Sequence, residues 1–199
     1  MSRSPLPSPN RPIVLVGLMG AGKSCIGRRL AARLKLPFLD ADKEIESAAG
    51  CTIEEIFERH GESAFRDGER KVIERLLEGP VCVLATGGGA FMNPQIRNAI
   101  KENATSIWLR ADLDLLLQRT SRRNNRPLLK KGDPRTILAD LMEQRYPVYA
   151  DADVAVDSAD GPPEVTLKRV LAALRSHFAS ASDHGSPTTD SEAAAGGRP

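Results

Sequence analysis

The chain has 199 residues, 41% of them apolar, and its 28 basic and 26 acidic side chains leave a formal net charge of +2. That length and apolar content suit one α/β domain with a core of ordinary size, while so balanced a charge excludes a global field for nucleic acid and leaves only local basic patches. No apolar stretch approaches the roughly 20 residues of a membrane span, and residues 1–11, rich in proline, lack the apolar segment of a signal peptide and read as a flexible lead-in.

The first element is a strand at residues 13 to 17, Ile13-Val14-Leu15-Val16, which runs directly into Gly17-Leu18-Met19-Gly20-Ala21-Gly22-Lys23-Ser24. A loop of this spacing turns backbone N–H groups toward the phosphates of a nucleotide, with Lys23 reaching the β and γ phosphates and the Ser24 hydroxyl able to hold Mg²⁺. After Lys23, Ile26, Leu30 and Leu34 recur every four residues, so a helix follows with Arg28, Arg29 and Arg33 off its apolar face. Its N-terminus adds partial positive charge at the phosphates. Strand, loop and helix together point to ATP or GTP; the alternative is a chance Gly-rich turn before a helix.

A second strand is read at residues 37 to 40, ending in Asp40-Ala41-Asp42. In an extended segment the two carboxylates point the same way, and they can divide the work of phosphoryl transfer, one near a metal ion and one toward an acceptor hydroxyl. The alternative is an acidic loop in which Asp42 caps the next helix. A third strand at 81 to 85 leads into Thr86-Gly87-Gly88-Gly89-Ala90, where three glycines let backbone approach a ligand at the C-terminal end of a parallel strand; a flexible turn is the other reading.

A fourth strand is read at 105 to 109. Beyond it Arg119, Arg122, Arg123, Arg126, Lys130 and Lys131 form the densest basic stretch, suited to a lid over polyphosphate, with a solvated loop or a nucleic-acid patch as alternatives. A helix is expected at 134 to 146, with Asp133 as cap, Pro134 in the first turn and Pro147 as terminator. Arg145 continues its apolar stripe of Ile137, Leu138, Leu141 and Met142, which calls for an anionic partner; the alternatives are that it complements the carbonyl end of its own helix or snorkels to solvent. A fifth strand at 153 to 156 and a last helix from Glu164 to Phe178 complete the domain, and the composition from residue 180 onward reads as a disordered tail. Cys25, Cys51 and Cys82, at unrelated spacings, suit buried thiols in a reducing cytosol.

From about Pro12 to Ser158 the motifs, taken together and in order, resemble the shikimate kinases, small P-loop kinases of the nucleoside-monophosphate-kinase type. The resemblance rests on the phosphate loop, Asp40-Ala41-Asp42, Phe65-Arg66-Asp67-Gly68-Glu69, Gly87-Gly88-Gly89, Arg126-Pro127-Leu128-Leu129 and Arg145-Tyr146-Pro147-Val148-Tyr149. Gly68, inside an expected helix, is a local oddity that costs about 1 kcal/mol against alanine.

The resemblance implies a three-layer α/β/α domain over residues 12–179 with a parallel five-stranded sheet of order 2-3-1-4-5, an acceptor-binding region near 42–78 and a mobile lid near 119–132. It implies a monomeric, cytoplasmic enzyme that phosphorylates the 3-hydroxyl of shikimate with ATP and Mg²⁺, in the chorismate route to aromatic amino acids. Gly20, Ala21, Gly22, Lys23, Ser24 and Cys25 are implied to surround the nucleotide phosphates, with Arg119 bordering adenine and Arg126 closing on the transferred group. Ser24 and Asp40 would organise Mg²⁺, and Asp42 would orient or deprotonate the attacking hydroxyl. Arg66 and Arg145 would hold the acceptor carboxylate, Glu69 would orient Arg66, Gly87, Gly88 and Gly89 would supply backbone contacts, and Phe57 and Phe65 would line the apolar face.

Two rivals share many of these features. A gluconate kinase also needs cations for a carboxylate and groups for hydroxyls, although the pairing of Phe-Arg-x-x-Glu with Arg-x-Pro-x-Tyr favours shikimate. A non-catalytic nucleotide-binding protein is expected to lack one of Lys23, Asp42, Arg66, Arg126 or Arg145, all of which are present.

Overall fold

The computed structural model describes residues 9–121 and 132–183. Most of the expected lid, with Arg122, Arg123, Arg126, Lys130 and Lys131, lies outside the described residues, as do 1–8 and 184–199.

Five strands, β1 (Ile13–Val16), β2 (Phe38–Asp40), β3 (Val83–Ala85), β4 (Thr105–Arg110) and β5 (Val154–Asp157), form one parallel sheet in the order β2-β3-β1-β4-β5, the expected 2-3-1-4-5. A parallel sheet needs crossover helices, which cover both faces, so its central strands read as unbroken apolar runs. Accordingly every residue of β1 and β3 is buried.

Helix α1 (Lys23–Leu34) buries Ile26, Leu30 and Ala31, while α7 (Pro163–Asp183) packs beside it and against β5. An ion pair from Arg29 Nε to Glu164 Oε1, 3.1 Å, joins the two at the surface. Helix α7 runs to Asp183, past the residue at which the composition changes to that of a tail.

The region after β2 forms α2 (Ala41–Ala49) and α3 (Ile53–Leu77). It has a small core of its own, Ile45, Ile56, Phe65 and Val72, separate from the main one. Thr52 and Glu55 make a reciprocal capping box at the start of α3, which satisfies two orphan N–H groups.

Helix α3 is not continuous. Gly61, at φ 78° and ψ 176°, breaks it, in a region of backbone space open essentially to glycine, where another residue costs about 1–3 kcal/mol. Gly68, by contrast, has no neighbour within 4 Å that an added Cβ would meet and no positive φ. Gly61→Ala is therefore expected to destabilise the fold by about 1–3 kcal/mol, whereas Gly68→Ala should gain up to about 1 kcal/mol. Urea denaturation of both variants checks this; equal shifts in midpoint would mean that the break does not depend on glycine.

The other layer holds α4 (Pro94–Asn103), α5 (Leu113–Ser121) and α6 (Pro134–Tyr149). Asp133 caps α6 as expected, its Oδ2 accepting from Thr136 N at 2.9 Å. Pro147 does not end the helix, contrary to the reading from sequence. It removes one N–H, but Ala150 N still donates to Tyr146 O at 3.0 Å, and the fully buried Tyr149 ring anchors the last turn in the core.

All three cysteines are free thiols, but only Cys82 is buried. Cys25 and Cys51 are half-buried: Cys25 sits on the first turn of α1, where Arg29 Nη1 lies 3.1 Å from its Sγ, and Cys51 flanks the small core.

Among the described residues no helix is long and apolar enough to cross a membrane.

Candidate active site

Gly17 leaves β1 at φ 136°, and a Cβ built on it would stand 2.6 Å from Leu109 O, so only glycine lets the loop start so close to β4. Gly20 and Gly22 also have positive φ, and Gly22 precedes α1 without any side-chain cap. Lys23 Nζ donates to Gly17 O at 2.7 Å and to Leu18 O at 3.1 Å, so the ammonium sits inside the curl of the loop.

Ser24 Oγ donates to Asp40 Oδ2 at 2.8 Å, which joins the start of α1 to the end of β2. Asp40 and Asp42 are not successive positions on one strand, as the extended reading required. Asp40 ends β2 and is the N-cap residue of α2, without a side-chain capping bond, while Asp42 lies in that helix's first turn. The chain turns between them, so Asp40 faces Ser24 and Asp42 faces Gly87, the first of the three glycines after β3.

The positions of those glycines are defined by what a side chain there would strike. A Cβ on Gly87 would stand 2.9 Å from Asp42 Oδ1 and 3.1 Å from Glu69 Oε1. On Gly89 it would meet Arg66 Nη1 at 2.8 Å and Nη2 at 3.0 Å, and on Gly88 it would lie 3.6 Å from both Arg145 Nη1 and Met19 N. One turn of bare backbone thus gathers Asp42, Arg66, Glu69 and Arg145 beside the phosphate loop.

Glu69 is 1% exposed and accepts from Arg66 Nη1 at 2.7 Å, the contact expected of residues three apart on a helix. Burial pushes its carboxyl up from the ordinary value, against the pull of Arg66. Glu62, four residues before Arg66, holds the outer side of the same guanidinium at 3.2 Å. Phe65 is buried and Phe57 exposed, their ring centres 4.7 Å apart.

Because α6 continues through Pro147, Arg145 and Tyr149 fall on one face, and both donate to Gly88 O, Arg145 Nη1 at 2.9 Å. Burial pushes the Tyr149 hydroxyl up to about 12, so it remains a donor. Trp108, the only tryptophan of the chain, packs on Tyr146 and Tyr149 with its Cδ1 3.5 Å from the Gly17 Cβ position.

Arg119, at the end of α5, reaches the opposite flank of the phosphate loop. Its Nη1 donates to Ser158 Oγ at 2.8 Å and its Nη2 to Ala159 O at 2.6 Å, with Gly20 O and Ala21 O 3.4 Å from Nη1. Sequence reasoning missed Ser158 and Tyr149 as parts of the site. Tyr149 was visible only as a letter of a motif, and Ser158 had no local signal. Arg126 lies outside the described residues.

Comparison with known proteins agrees with this geometry. The family model for shikimate kinase matches residues 19–175. The shikimate kinase of Paramagnetospirillum magneticum is 64% identical over 164 residues, which cover 82% of this chain and 84% of that one. Among solved structures, the shikimate kinase of Acinetobacter baumannii in complex with shikimate aligns with a TM-score of 0.77 at 41% identity, over 81% of this chain and 90% of that chain. The shikimate kinase of Aquifex aeolicus aligns with a TM-score of 0.74 at 35% identity, over 84% and 98% respectively. A phosphate loop, a turn of three glycines and two converging arginines, joined to a family match over most of the chain, place it in the shikimate kinase family.

Proposed function

We propose that the chain transfers the γ-phosphoryl group of ATP to the 3-hydroxyl of shikimate, giving shikimate 3-phosphate and ADP. The observation that carries this reading is the convergence of Asp42, Arg66, Glu69 and Arg145 on Gly87–Gly89, next to Met19 N of the phosphate loop. Two guanidinium groups suit a carboxylate, a neighbouring carboxylate suits a hydroxyl, and the phosphate loop brings the phosphoryl group to the same place.

In this reading the acceptor oxygen attacks the γ phosphorus in line, its proton passes to Asp42, and the bond to the β-phosphate oxygen breaks to release ADP. The backbone from Gly20 to Cys25 and the Lys23 ammonium hold the phosphates. Arg66, kept in place by Glu69, and Arg145 hold the acceptor carboxylate, with backbone of Gly87, Gly88 and Gly89 at its hydroxyls and Phe57 and Phe65 on its apolar side. Arg119 borders the base, and Arg126 from the lid closes on the transferred group.

Ser24 and Asp40 would hold Mg²⁺. Their oxygens, 2.8 Å apart, are hard donors of the right kind, and one carboxylate and one hydroxyl suit a Mg²⁺ that completes its shell with phosphate oxygens and water. When bound, the ion neutralises charge on the β and γ phosphates. The three unpaired cysteines agree with action in a reducing cytosol, and the family resemblance with a monomer.

Coupled detection of ADP release with ATP and Mg²⁺, comparing shikimate, gluconate and no acceptor, tests the proposal. Release that requires shikimate is expected. Release driven by gluconate or without any acceptor would overturn it.

A further inference from the structure

Ser158 follows β5 and is 8% exposed, yet its hydroxyl is engaged on two sides. Oγ donates to Ala21 O of the phosphate loop at 3.0 Å and accepts from Arg119 Nη1 at 2.8 Å. The backbone around it is equally fixed. Ser158 N donates to Arg110 O at 2.7 Å, and Ala159 N donates at 2.9 Å to Oγ1 of Thr166, a buried residue of α7. A hydroxyl is the smallest group able to donate to a carbonyl and accept from a guanidinium at one point.

The bond to Ala21 O has a directional consequence. In a trans peptide the C=O and the following N–H point to opposite sides, and among the described residues no peptide bond is cis. Holding the Ala21 carbonyl outward, against Ser158, turns the Gly22 N–H inward, to the side on which such a loop cradles phosphate. The same oxygen sets the position of Arg119, whose Nη1 lies 3.7 Å from where a Cβ would stand on Gly22.

We propose that Ser158 is a positioning residue for the nucleotide, locking the Ala21–Gly22 peptide plane and the Arg119 guanidinium in one clasp. The proposal rests on residues 17–24 and Arg119 forming the nucleotide site. Ser158 is not placed against the acceptor: none of its hydrogen-bond partners, Ala21, Arg119 and Arg110, is among the groups beside Gly87–Gly89.

The test is calorimetric titration of the full chain with ADP and, separately, with shikimate, for wild type, Ser158→Ala, Ser158→Cys and Ser158→Thr. Removing a hydrogen bond to a charged group, and leaving Ala21 O only its longer 3.4 Å contact with Arg119 Nη1, should weaken ADP affinity about tenfold in Ser158→Ala. Ser158→Cys, with a poor donor, should do the same. Shikimate affinity should stay within about twofold, since only a general loosening would carry the effect to the other pocket. Ser158→Thr, which restores the hydroxyl, should recover ADP affinity.

Unchanged ADP affinity in both Ser158→Ala and Ser158→Cys would overturn the proposal. So would a parallel fall in ADP and shikimate affinity, or a failure of threonine to rescue. Failure of the wild-type protein to bind ADP would instead remove the nucleotide-site reading on which it stands.

Discussion

Replacing Asp42 by asparagine is expected to lower turnover by about two to four orders of magnitude, the usual contribution of a positioned general base, while ADP affinity stays within about twofold. The carboxylate stands in the first turn of α2, with Oδ1 2.9 Å from where a side chain on Gly87 would begin. Asparagine keeps the shape and can still hydrogen-bond, but it cannot take the proton released as the acceptor oxygen attacks phosphorus. The proposed ADP contacts lie elsewhere, on the loop between β1 and α1, so nucleotide binding provides an internal control. Steady-state rates with shikimate, together with an ADP titration, check both halves. Near-normal turnover in the asparagine variant would take Asp42 out of proton handling, and a matching loss of ADP affinity would mean that the substitution disturbed the loop.

The parts of this arrangement that were legible in the sequence are those with a local cause. The inner strands β1 and β3, buried on both faces, must be apolar runs, and shorter apolar stretches marked the edge strands β2 and β5, so all five strands were found; their order followed from the family pattern. Asp133 and Pro134 announce the start of α6 because capping is a short-range bond. What stayed hidden depends on partners distant in the chain. Gly61 and Gly68 look alike as letters within one helical pattern, yet only Gly61 has a positive φ. Pro147 signals a helix end, but burial of Tyr149 carries α6 one turn further. Asp40 and Asp42 read as two residues on one strand because the turn between β2 and α2 falls between them. Ser158 meets Ala21 across 137 residues, a contact no local pattern can encode.

The extra turn of α6 bears on the second large effect, expected for Arg145→Ala. Arg66 already has two carboxylates on its guanidinium, Glu69 and Glu62. Arg145 feels the charge of Glu69, which is already paired with Arg66, but its described hydrogen-bond partners are a carbonyl and a phenol, Gly88 O and Tyr149, both neutral. They orient the guanidinium without cancelling its charge, which remains available to an anionic acceptor. Losing a charge-assisted hydrogen bond of this kind costs about 1.5–3 kcal/mol, or roughly 10- to 150-fold in affinity. Shikimate affinity should fall by that factor in Arg145→Ala, with ADP affinity unchanged and with turnover at saturating acceptor reduced far less than by Asp42→Asn. Arg145→Lys should lie between, since lysine keeps the charge but not the planar fork that matches a carboxylate. A titration in which alanine leaves shikimate affinity intact would exclude Arg145 from the carboxylate pocket, and the Gly88 contact would then be the whole of its role.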